Sequence, residues 1–270
     1  MFSSRLADAA AAGGAKMRIV VKIGTSTLAH AGGRLNIRHT EELVKTLSDL
    51  KNAGHELIVV SSGAIGMGAG KLQIPRPQDM PTKQAAASVG QCELMYTYDR
   101  LFSAYNHTVA QILVTREDFD RAPRLMNLQN TVYRLLQLGA IPIINENDSV
   151  ATEEIAVGDN DTMGALVAKY ARADLLVVLS DIDGLYTADP HTHPDAKRIE
   201  TVAEITPEIE ALAGGVHSGL GTGGMATKIM AARIAAGAGV DMVIANGGTP
   251  SLLYDIVEGK PVGTRFIGRK

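Results

Sequence analysis

The stretch "RIVVKIGTSTL" (Arg18 to Leu28) decides the architecture. Ile19, Val20, Val21 and Ile23 form a nearly continuous β-branched run, as expected of a strand covered on both faces within a parallel sheet. Lys22 interrupts the run, and Gly24, Thr25, Ser26 and Thr27 follow it at once. A lone strand lysine ordinarily snorkels to water. Here the adjoining glycine and three hydroxyl residues add close backbone approach and hydrogen-bond donors to a cation, a set suited to phosphate oxygens.

Working outward, similar runs recur at Glu56 to Ser61, Thr108 to Val114, Ala140 to Asn145, Asp174 to Ser180 and Asp241 to Asn246. Helical segments are expected between them, at Thr40 to Ala53, Thr82 to Ala104, Leu125 to Leu138, Asp161 to Arg172 and Met225 to Ala238. The alternation predicts an α/β fold, an open and mainly parallel sheet sandwiched between helices. No Pro/Ser-rich linker or internal repeat divides the chain. Residues 1–16 are expected to form a flexible N-terminal tail and residues 17–270 one domain. In such sheets ligands collect beyond the carboxyl ends of the strands, so the residues after each apolar run matter most.

Composition narrows the function classes. The 270 residues are 46% hydrophobic and 20% charged, with a formal net charge of -3, which gives no electrostatic case for binding nucleic acid. Cys92 is the one cysteine, so neither an intrachain disulfide nor a cysteine-based zinc cage can form. The first sixteen residues lack the apolar core of a signal peptide, and the longest apolar runs are of strand length. A cytoplasmic protein with no membrane partner is expected.

"VVSSGAIGMGAG" repeats the strand-to-glycine junction: Ser61, Ser62 and Gly63 turn the chain, with Gly66, Gly68 and Gly70 beyond. Any single glycine there is explained by a turn or by tight packing. Together with Ser62, exposed backbone N–H groups would hold a carboxylate or a transferring phosphoryl group. "IINENDSVATEEIAVGDNDTMGA" then gathers Glu146, Asp148, Asp159 and Asp161 beside Asn145, Asn147 and Asn160. Asp159 or Asn160 is placed to cap the next helix. Asp148 suits a substrate ammonium, Asn160 polar substrate atoms, and Asp161 the task of holding nearby lysines charged and aimed. The spacing is wrong for an EF-hand.

Ser180 and Asp181 end the run in "VVLSDIDGLYTADP", a position bordering a nucleotide in such folds, whereas Asp183-Gly184 and Asp189-Pro190 are turn signals. "HTHPD" offers His191, His193 and Asp195 without a further ligand, so zinc is rejected. In "SGLGTGGMATKIMAA" Gly219, Gly221 and Gly224 spell G-x-G-x-x-G, but a helix precedes them where a dinucleotide fingerprint needs a strand. The P-loop fails as well, because Thr227 precedes Lys228 and Ile229 follows it. What survives is a glycine loop leading into an Ala-rich helix whose first N–H groups, with Lys228, converge on anions.

Taken in order, "VVKIGTSTL", "SSGAIGMG", "KQAAASVGQ", "INENDSVAT", "VGDNDTMGAL", "LSDIDGLYTADP" and "SGLGTGGMATK" resemble the glutamate 5-kinase branch of the amino-acid kinase family, from about Arg18 to Gly268. The resemblance implies transfer of the ATP γ-phosphoryl group to the side-chain carboxylate of L-glutamate, the first step of proline biosynthesis, with Mg2+ accompanying ATP and no dedicated protein cage for the metal. It implies catalytic roles for Lys22, Lys228 and Asp161, and glutamate binding by Ser62, Asp148 and Asn160. ATP would meet Lys22, Ser180, Asp181 and the run Thr222, Gly223, Gly224, Met225, Ala226, Thr227 and Lys228, with Ser180 standing where many relatives carry threonine. Many bacterial relatives carry a C-terminal PUA domain for which this sequence has no room, so a short form is expected. A homo-oligomer and inhibition by proline are further expectations of the resemblance.

Three rival functions differ in what they require. A kinase of acetylglutamate, aspartate or another carboxylate is separated by substrate competition, since Asp148 prefers a free α-ammonium and disfavours an acetylated one. An amino-acid sensor would keep the pocket without phosphoryl transfer, against the presence of Lys22, Asp161 and Lys228. An NAD-dependent oxidoreductase rests only on the misleading glycine pattern.

Overall fold

A computed structural model describes residues 15–30, 34–150, 159–190, 192–213 and 224–269. The first half of the chain runs β1 (Arg18–Ile23), α1 (Thr25–Leu28), α2 (Ile37–Asn52), β2 (Glu56–Ser61), α3 (Ala64–Leu72), α4 (Met80–Ser103), β3 (Val109–Val114), α5 (Arg116–Asp120), α6 (Ala122–Gln137) and β4 (Ile141–Glu146). The second half runs α7 (Asn160–Tyr170), β5 (Leu175–Ser180), β6 (Leu185–Tyr186), β7 (Arg198–Ile199), β8 (Thr201–Val202), α8 (Pro207–Leu212), α9 (Met225–Gly237), β9 (Asp241–Asn246), α10 (Leu252–Val257) and β10 (Thr264–Phe266). Within the described residues, eight strands form one sheet in the order β3-β4-β2-β1-β5-β9-β10-β8. The six strands from β3 to β9 are mutually parallel, and β10 turns antiparallel to β9.

Side chains alternate across this sheet, and each face has its own core. Val20, Ile58, Val60, Ile144, Leu176, Val178 and Ile244 face α7 and α9. Ile19, Val21, Leu57, Val59, Ile143, Val177 and Val243 face the opposite layer, which includes α2, α4 and α10. Each such residue is fully buried, a gain of about 1.5–3 kcal/mol over exposure before entropy is counted. Because both faces are covered, the strands read as continuous apolar runs.

Parity then fixes what the strand ends present. Lys22 shares a face with Val20, toward α7 and α9, while Ser61 and Asn145 share one with Val59 and Ile143, toward α4. The chain runs from β1 to β2 on one side and from β5 onward to β9 on the other, so the strand order reverses between β1 and β5, and their carboxyl ends form the switch point where open α/β sheets bind ligands.

The central strands fall within one residue of their expected bounds, and the five expected helices are α2, α4, α6, α7 and α9. Gly66, Gly68 and Gly70, expected beyond the turn and open to either a turn or tight packing, lie inside the helix α3. Packing explains Gly68: a Cβ there would stand 1.7 Å from the Ala86 carbonyl oxygen, and one on Gly90 would stand 1.8 Å from that of Ala64. The backbones of α3 and α4 touch, which only glycine permits. Of the expected tail, residues 1–14 lie outside the described residues, as does His191 of the rejected zinc motif.

Candidate active site

Lys22 enters from β1, Asp161 from the first turn of α7 and Lys228 from the first turns of α9. Their side chains meet. Lys22 Nζ lies 2.7 Å from Asp161 Oδ1 and Lys228 Nζ lies 3.1 Å from Asp161 Oδ2. Thr227 Oγ1 lies 3.0 Å from the same Oδ2 and 2.8 Å from the Gly224 carbonyl oxygen, so its single proton serves one or the other. All three charged residues are buried, Asp161 at 1% exposure. Burial drives the Asp161 carboxyl upward, but the charges of Lys22 and Lys228 and their hydrogen bonds outweigh it and hold the group below the usual aspartate range.

Local sequence makes this convergence possible. Asp159 caps α7, its carboxylate accepting from the Thr162 N–H at 2.6 Å and the Thr162 hydroxyl at 3.0 Å, which fixes Asn160 and Asp161 in the first turn. Gly164, one turn on, lets α7 settle against β1, since a Cβ there would come within 3.3 Å of Lys22 Cβ. Gly24 keeps the other side of the lysine approachable: its missing Cβ would stand 3.7 Å from Lys22 Nζ. α9 begins at Gly224 with no side-chain cap, so its leading N–H groups keep the anion preference of a helix start, with Lys228 beside them.

On the β2 and β4 side of β1 lies a second polar cluster. Asn160 Nδ2 donates to the Ser61 carbonyl oxygen at 3.0 Å and to Ser62 Oγ at 2.6 Å, with Asn145 Oδ1 at 3.4 Å. Asn160 therefore joins Ser62 to the end of β4, directly beside Asp161. Gly63 turns the chain at φ 100°, a left-handed conformation suited to glycine, and its missing Cβ faces Thr25. Asp148 follows β4, where burial and then the nearby Glu146 charge push its carboxyl up to about 6. It makes no hydrogen bond or ion pair with described residues, and a cation placed there would restore its ionised form.

On the opposite side, at β5 and β9, Ser180 Oγ donates to Asp181 Oδ1 at 2.9 Å, Asn246 Nδ2 donates to the Asp181 carbonyl oxygen at 3.3 Å, and the Gly247 N–H donates to that of Ser180 at 2.7 Å. Asp181 is exposed at this rim.

The structure thus brings Lys22, Asp161, Lys228 and Thr227 into one contact set, Ser62 and Asn160 into a second next to it, and Ser180 and Asp181 into a third across β1. Asp148 adjoins the second set through the end of β4. Thr222 and Gly223 lie outside the described residues, while Gly224, Met225 and Ala226 open α9. Sequence reading gave no role to Asn145, Gln91, Gly164 or Asn246. Asn145 carried a signal, because a buried amide that ends an apolar run on the core-facing parity needs partners. Among the described residues no group of three His, Cys, Asp or Glu side chains gathers to hold a metal ion, and no helix is long and apolar enough to cross a membrane.

Residues 17–246 match the amino acid kinase family. The glutamate 5-kinase of Clostridium tetani is 53% identical over 249 residues, covering 92% of this chain and 93% of that protein. The glutamate 5-kinase of Listeria innocua is 50% identical over 258 residues, 94% of each. Among solved structures, carbamate kinase from Giardia lamblia bound to AMP-PNP shares the fold with a TM-score of 0.68 at 18% identity, over 94% of this chain and 99% of that one.

Proposed function

The chain belongs to the amino acid kinase family, and from that membership we propose that it transfers the γ-phosphoryl group of ATP to the side-chain carboxylate of L-glutamate, giving L-glutamate 5-phosphate and ADP. The observation that carries the chemistry is the meeting of Lys22 and Lys228, from distant parts of the sequence, on the single buried carboxylate of Asp161.

Glutamate is assigned to the β2 and β4 side. Asp148 receives the α-ammonium, and Ser62 and Asn160 bind its polar atoms. ATP is assigned to the β5 and β9 side, bordered by Ser180 and Asp181, with its phosphates assigned to the run Thr222 to Lys228, of which Gly224 to Lys228 open α9. A γ-carboxylate oxygen forms the new P–O bond as the bond from phosphorus to the β,γ-bridging oxygen breaks and ADP leaves. No proton has to move, because the nucleophile is already ionised. The protein's contribution is alignment and charge neutralisation. Lys22 and Lys228 supply the positive charge, and Asp161 fixes where their ammonium groups sit. Magnesium would be held chiefly by ATP phosphate oxygens and water, neutralising phosphate charge.

The product places the reaction at the first step of proline biosynthesis. We further assign residues 17–270 to one kinase domain, a cytoplasmic location, a homo-oligomeric state and inhibition by proline, to be checked by light scattering and proline titration. The function itself is tested by incubating the protein with ATP, Mg2+, L-glutamate and hydroxylamine. γ-Glutamyl hydroxamate is expected. Folded protein that yields none above an enzyme-free control, or that prefers acetylglutamate or aspartate, overturns the assignment.

A further inference from the structure

Among the buried polar side chains of α4, Thr97 bonds back to the Glu93 carbonyl oxygen of its own helix, which leaves Gln91 and Tyr98, seven residues apart, to reach outward. Both reach strand ends that border the glutamate side. The Tyr98 hydroxyl lies 3.0 Å from Ser61 Oγ, and Gln91 Oε1 accepts from Asn145 Nδ2 at 2.8 Å. Three residues before Gln91, Ser88 Oγ lies 2.9 Å from Ser149 Oγ. The contacts at Asn145 and Ser149 bracket Asp148, so α4 holds the segment that carries it.

A backbone group dictates which way the Gln91 amide faces. The Glu146 N–H donates to Asn145 Oδ1 at 2.9 Å, so Asn145 turns its Nδ2 toward Gln91, and Gln91 must answer with Oε1. Flipping either amide would set donor against donor or acceptor against acceptor. Gln91 Nε2, bonded to the same carbon as Oε1, is then buried without a hydrogen-bond partner among the described residues, in a residue only 8% exposed. Buried amide N–H groups in native proteins nearly always have a partner, and this orphan lies beside the amide that adjoins Asn160.

The place of the orphan in the sheet selects its ligand. Asn145 lies one residue before the end of β4, two strands from Lys22 on β1, which is roughly 10 Å at ordinary strand spacing. A carboxylate receiving phosphate at the lysines is out of reach from there, whereas the other end of the same amino acid is not. A zwitterionic end needs an anion for its ammonium, which Asp148 supplies, and neutral donors for its carboxylate.

Resting on the assignment of glutamate to this side, we propose that Gln91 is a specificity-determining residue: it holds Asn145 facing Asn160, and its Nε2 donates a hydrogen bond to the α-carboxylate of the bound amino acid.

The test compares wild type, Q91E and Q91M in the hydroxamate assay with L-glutamate and with L-glutamate α-amide as acceptors. Gln91→Glu keeps an acceptor for Asn145 but replaces the orphan donor by an acceptor, which repels a carboxylate and welcomes a carboxamide. The preference for glutamate over its α-amide, as a ratio of kcat/KM, is expected to fall at least about tenfold in Q91E, with KM for ATP changed less than about twofold. In Q91M, KM for glutamate is expected to rise by about tenfold or more. An unchanged preference in folded Q91E, or a wild-type KM for glutamate in Q91M, overturns the proposal. Folded wild type that binds ATP but yields no hydroxamate from glutamate overturns the functional reading itself and this proposal with it.

Discussion

Asp161 is costly by itself: a carboxylate at 1% exposure persists in ionised form only because Lys22 and Lys228 stand against it. Each lysine therefore supports the fold as well as the rate, and Lys22 still pairs the carboxylate when Lys228 is replaced. Lys228→Met is expected to lower kcat at least about 100-fold while circular dichroism and KM for glutamate stay near wild type. Turnover within a few-fold of wild type would remove Lys228 from its assigned role. Asp148 makes the opposite argument, since its carboxyl is raised to about 6 by burial and by Glu146. Below that pH it is neutral and a poor partner for an ammonium, so KM for glutamate should be level above about pH 7 and climb about tenfold per unit well below 6. An acid that holds its proton more tightly folded than unfolded weakens the ligand-free protein when it ionises; the penalty grows from the ordinary value of 3.8 up to about 6 and stays in force above. Asp148→Asn should therefore raise the Tm of the ligand-free protein at pH 7 but not at pH 4, while abolishing stabilisation by glutamate. Equal effects at both pH values would show that the charge is not the cause.

At the scale of elements, the contact of α3 with α4 is the most exacting in the molecule. Gly90→Ala would drive a methyl group into the Ala64 carbonyl at 1.8 Å and the Gly68 N–H at 2.5 Å, forcing the helices apart at a cost of about 3 kcal/mol. Urea denaturation should show that loss. KM for glutamate should rise too, because Ser62 and Gly63 lead into α3 and Gln91 follows Gly90 on α4. A wild-type urea midpoint would mean that the helices are not in backbone contact. This pair also shows what the sequence conceals. Strands between two helical layers announce themselves as unbroken apolar runs, so β1, β2, β4, β5 and β9 were legible nearly to the residue. α3 was not: Gly66, Gly68 and Gly70 carry the local signature of a turn, and the demand that Gly68 satisfies comes from Ala86 and Gly90 on another helix. β10 is three residues long, too short for any period to register.

Across the whole molecule, the proposed assignment puts the two substrates on opposite sides of β1 and has them meet at its carboxyl end. The residue types of the site were legible because Lys22, Ser62, Asp148 and Ser180 all follow or end apolar runs, where such sheets bind ligands. Their convergence was legible only through resemblance, since no spacing rule joins Lys22 to Lys228 across more than two hundred residues. Gln91 stayed hidden because a glutamine on a helix face rich in alanine shows nothing of its purpose until Glu146 and Asn145 fix its orientation. In the proposed reaction, two ammonium groups on one carboxylate close around a single phosphoryl group in flight. A crystal structure of the protein with L-glutamate, ADP, Mg2+ and aluminium fluoride tests that directly. Both Lys22 Nζ and Lys228 Nζ are expected within about 3 Å of fluoride or bridging oxygen atoms of one planar group, with the glutamate γ-carboxylate in line behind it. A planar group bound by only one of the two lysines, with the other still facing Asp161 alone, would contradict it.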